Sequence, residues 1–67
     1  MDAAEKDRLQ KLDGMCESLL TEQRQLSEKL NALREGGDTK SHRFRELMGQ
    51  KLMNAGLIEL LEKYGLM

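Results

Sequence analysis

The stretch that decides the fold is residues 9–33, LQKLDGMCESLLTEQRQLSEKLNAL. With Leu9 at position a of a heptad, the a positions are Leu9, Cys16, Gln23 and Leu30, and the d positions are Leu12, Leu19, Leu26 and Leu33. Leucine at four successive d positions is the pattern of a helical seam. A stripe repeating every 3.5 residues stays against its neighbour only when the helices supercoil around each other. These eight residues are the expected self-association set. Gln23 is the polar exception, a residue type that fixes register in such a seam at some loss of stability.

The flanking positions leave orientation open. In a parallel dimer Arg8 would attract Asp13 of the other helix, whereas Lys29 would repel Arg34, so parallel, antiparallel and heteromeric pairings all remain. Met15 at g and Leu20 at e widen the apolar stripe beyond what a two-stranded coil needs. The extra width asks for a second contact, from the rest of the chain or from further chains.

Outward from the heptad, the sequence divides into three. Residues 1–35 read as one long coiled-coil helix, with Asp2 as a possible cap, Glu5 three residues on, and Arg34 near the end where a cation suits the helix dipole. Residues 36–41, Gly-Gly-Asp-Thr-Lys-Ser, are a loop, since paired glycines followed by Asp and Thr break a helix. Residues 42–67 read as one or two short helices with Ser41 as N-cap. Phe44, Leu47, Met48, Leu52 and Ala55 share one side, whereas Leu57, Leu60, Leu61 and Tyr64 gather on a roughly opposite one. The sequence Asn54-Ala55-Gly56-Leu57 resembles a helix C-terminus with a left-handed glycine, so a break near Gly56 is expected, with a kinked continuous helix as the alternative. The whole is one all-α domain.

The bulk composition narrows the function classes. A chain of 67 residues buries a small core and usually needs a staple. Cys16 is the only cysteine and His42 the only histidine, which removes an internal disulfide and a Cys/His metal site. Oligomerisation is the staple left, and the favoured architecture is an oligomeric helical bundle built from helical hairpins, dimer or higher. A monomeric three-helix bundle is the alternative. A ~50 Å first helix, at 1.5 Å per residue, argues against it, because two short helices cover little more than half of that length.

Net charge is −1 with both signs interspersed, which disfavours a general polyanion binder. No apolar run spans a bilayer. The start, Met1-Asp2-Ala3-Ala4-Glu5, is no export signal, and with a free cysteine this leads to the expectation of a cytoplasmic or nuclear protein.

No residue set suggests catalysis, a cofactor or a small-molecule site. Cys16 occupies a seam position, where cysteine acts as a small hydrophobe. Gly36-Gly37 lacks the spacing and the preceding strand of a phosphate loop. The expected function is an oligomerisation and scaffold module, not an enzyme. Phe44, Leu47, Met48, Leu52, Leu57, Ile58, Leu61 and Tyr64 would complete the core or accept a helical protein partner. The alternative is an accessory nucleic-acid-associated domain using the basic run Lys40-Ser41-His42-Arg43-Phe44-Arg45 with Lys51.

Residues 43–61 also resemble two helical families. Arg45, Leu47, Gln50, Leu52, Asn54, Gly56, Leu57 and Ile58 are similar to a series in the N-terminal dimerisation segment of FOP-type centrosomal proteins. Gln50-Lys51-Leu52, Gly56 and the following leucines are similar to a run in the enhancer-of-yellow-2 family of transcription and mRNA-export factors. Either resemblance implies a scaffold subunit that holds partners with helices, and neither supplies a site residue.

Overall fold

The computed structural model describes residues 3–67 and consists of two helices, α1 (Ala3–Glu35) and α2 (His42–Lys63), joined by a tight loop. The Asp2 cap lies outside the described residues. The helices run antiparallel: Arg34, near the end of α1, meets Met48 and Phe44 early in α2, while Cys16 meets Leu66 just past the end of α2. The hairpin is a rod, 53 × 18 × 15 Å.

The loop forms because glycine permits a left-handed residue directly after α1. Gly37 has φ 77°, and its N–H donates to Arg34 O at 2.9 Å while Asp38 N–H donates to Leu33 O at 2.8 Å. These two bonds satisfy carbonyls that the end of a helix leaves open, in the Schellman arrangement. Asp38 Oδ1 then accepts from Ser41 N–H at 3.2 Å, and Ser41 Oγ accepts from Phe44 N–H at 3.1 Å, so α2 starts on a satisfied N-cap.

The break near Gly56 does not occur. α2 is one helix through Gly56, and the left-handed glycine that ends it is Gly65 (φ 70°), with Gly65 N–H on Glu62 O and Leu66 N–H on Leu61 O. The two apolar stripes that suggested a break are two faces of one helix. A continuous α2 keeps its backbone hydrogen bonds and brings Ile58 and Leu61 onto α1.

The core is a single seam. Cys16, Leu19, Leu26 and Leu30 are its buried apolar side chains, with Leu30 only 1% exposed, and Leu12 and Leu33 are half-buried at its ends. From α2 the facing side chains are Phe44, Leu47, Met48, Lys51, Asn54, Ile58 and Leu61, and all but buried Asn54 are half-buried. This series follows the 3.5-residue spacing of a coil, not the side on which apolar residues are densest. It therefore takes in Lys51 and Asn54 and leaves Leu52 and Ala55 exposed, contrary to the side inferred from apolar spacing.

Candidate interaction surface

The leucine heptad is closed within the chain from Cys16 to Leu33. The residues expected to bind another copy are largely those that hold α2, and of the eight only Leu9 is exposed. Residues 3–11 are all exposed, because α1 runs on past the end of α2. In the middle of the seam Gln23 donates from Nε2 to Lys51 O at 3.0 Å. Gln23 Oε1 and Asn54 Nδ2 are buried and lack a partner, one acceptor and one donor in the same polar layer. Asn54 is 6% exposed, and composition gave no sign that it would enter the core.

The expected partner set divides in two. Phe44, Leu47, Met48, Ile58 and Leu61 are taken up by α1, whereas Leu52, Leu57 and Tyr64 remain exposed. Met53 and Leu60 join the exposed group. Met53, Leu57, Leu60 and Tyr64 are spaced by four, three and four residues, so they form a second seam-like strip on α2. Met53 is 67% exposed, Leu57 41% and Tyr64 69%. This 4-3-4 spacing was the signal available in the sequence. It was hidden there because the break expected near Gly56 put Met53 in a different helix from Leu57, Leu60 and Tyr64.

The strip faces one identifiable side of the hairpin. Gln50 Nε2 donates to Glu22 Oε1 at 2.7 Å, which marks the side where those two positions adjoin. One heptad further along both antiparallel helices, Met15 and Leu57 occupy the equivalent places. Exposed Met15 therefore continues the α2 strip onto α1. Leu20, also exposed, lies on the other edge of α1, the edge on which Arg34 meets Met48.

The basic run is dispersed. At 100° per residue Arg43 and Arg45 lie on opposite parts of the α2 surface, and Lys51 is half-buried against α1. His42 pairs with Glu46 at 2.8 Å. Arg34, on α1, stands 5.6 Å from the centre of the Phe44 ring. Among the described residues no pocket opens between the helices, no group of metal-ligating side chains gathers, and no helix is long and apolar enough to cross a membrane. Comparison with known protein families, characterised proteins and solved structures finds no match.

Proposed function

We propose that the protein is an oligomerisation and scaffold module that acts through protein–protein contact and performs no catalysis. The observation that carries this reading is the surplus of apolar seam. One heptad closes the hairpin, and a second strip, Met53, Leu57, Leu60 and Tyr64, is left exposed beside it. Two helices enclosing four buried apolar side chains make a small core. Chains of this size are marginally stable unless something further covers their apolar surface. The radius of gyration is 15.5 Å, against about 11 Å for a compact chain of this length. Such a rod gains most from lateral association. The resemblance of residues 43–61 to helical scaffold subunits points to the same class.

The test is sedimentation of the purified chain. A mass of at least twice 7.7 kDa is expected, and a clean monomer at high micromolar concentration would refute the proposal. The nucleic-acid alternative has no coherent basic face to support it. Its signature would be salt-dependent oligonucleotide binding that is lost when Arg43 and Arg45 are replaced.

A further inference from the structure

The seam has two halves of unequal quality, with the polar layer between them. On the loop side, where α1 faces Phe44, Leu47 and Met48, Leu30 and Leu26 are 1% and 3% exposed. The hydrogen bonds of the loop and of the Ser41 cap tie the two helices together there. On the free side, away from the loop, Leu19 and Cys16 are 8% and 9% exposed. Their cover comes from Ile58 and Leu61, both half-buried, and from the chain at Leu66, itself exposed. The polar contact at that end is a weak one, the Cys16 thiol donating from Sγ to Leu66 O at 3.6 Å. Between the halves, Gln23 Oε1 and Asn54 Nδ2 are held away from water with no partner, which costs the closed form free energy.

The sequence carries a helix-ending signal at the same place. Asn54-Ala55-Gly56-Leu57 suits a helix C-terminus with a left-handed glycine and an apolar residue after it. In the closed hairpin Gly56 is helical, and a Cβ added there would meet nothing within 4 Å. Packing of the closed form therefore makes no demand for glycine, and glycine inside a helix weakens it.

We infer that the hairpin has a hinge at Gly56, about which residues 57–67 undock from α1 as a strap while the loop-side half stays closed. In the open form α2 ends at Ala55 on a left-handed Gly56. Gln23 Oε1 and Asn54 Nδ2 gain access to water, and Leu12, Cys16 and Leu19 lose their cover. Three independent features coincide at this boundary: the helix-ending signal, the unpaired polar groups and the fall in burial. Segments with few buried apolar contacts are those that open below the free energy of global unfolding. The strap thus controls access to the free-side seam of α1.

Cys16 reports on the strap, because its thiol is buried while the strap is docked. The test combines its labelling by an aromatic disulfide reagent with amide hydrogen exchange read by NMR, on the intact chain, Gly56→Ala and Gly14→Ala. In the intact chain amides 58–63 are expected to exchange together and faster than amides 46–53, with a step at residues 54–56. Both the labelling and the fast exchange should vary little with urea below the global transition, since local opening exposes little surface. Gly56→Ala favours the closed helix and disfavours a left-handed residue 56, so it is expected to slow both by at least about tenfold. Gly14, also inside a helix with open space around it, lies in α1, which stays helical, so Gly14→Ala should change neither. Exchange that rises gradually toward the C-terminus, as simple fraying gives, overturns the hinge. So does Cys16 labelling that follows urea as steeply as global unfolding, or equal slowing by the two glycine variants.

Discussion

Asn54 sits 6% exposed in a mostly apolar seam, and its Nδ2 donor has no partner there. A buried donor left unpaired costs about 1–3 kcal/mol. Asn54→Leu keeps the number of side-chain heavy atoms and removes the orphan, so it is expected to stabilise the chain by about 1–3 kcal/mol, read as a higher urea midpoint. Leu30 is the opposite case. It is the most completely buried side chain, and Leu30→Ala removes apolar contacts and leaves a cavity, at a cost of about 2–5 kcal/mol. For so small a core that is enough to abolish cooperative unfolding at room temperature, which thermal melts followed at 222 nm will show. The pair of outcomes separates what Asn54 and Gln23 contribute from what the leucines contribute. The leucines supply stability, and the polar layer supplies a register, through the Gln23 bond to Lys51 O.

At the scale of the elements, glycine and serine set where each helix ends. The same substitution has opposite signs at two glycines. Gly14 lies inside α1 with open space around it, so Gly14→Ala is expected to stabilise the helix by about 0.5–1 kcal/mol. Gly37 is left-handed, and Gly37→Ala is expected to destabilise the loop by about 1–2 kcal/mol. Ser41→Ala removes the acceptor for Phe44 N–H and is expected to cost about 1 kcal/mol. Denaturant midpoints check all three. The sequence made these ends legible because turn and cap chemistry is local: Gly36-Gly37 and Ser41 act within four residues. The path of α2 was less legible. Asn-Ala-Gly-Leu at 54–57 resembles a C-terminus, and what overrides it is distant in sequence, the need of Leu19 and Cys16 for cover from Ile58, Leu61 and the chain beyond them. For the same reason the heptad was legible as a seam but not as an internal one. Spacing fixes the geometry of a stripe and says nothing of whether its partner is the same chain.

For the whole molecule, association is expected to appear in its thermal stability. If the folded form is a dimer, unfolding yields two chains, and mass action raises the midpoint with concentration. Specific enthalpies of ~0.7 kcal/mol per residue give about 90 kcal/mol for two such chains near 60 °C. A hundredfold increase in protein concentration then raises Tm by about 10 °C, whereas a monomeric hairpin melts at one temperature throughout. Salt supplies the second axis. The four side chains of the strip are uncharged, so the apolar contact makes up most of the association. At ~0.5 M salt exposed ion pairs such as Lys11–Asp7 are screened, yet the concentration dependence of Tm should persist. A dependence that vanishes with salt would instead assign the association to the charged ends of the helices, and would remove Met53, Leu57, Leu60 and Tyr64 from its cause.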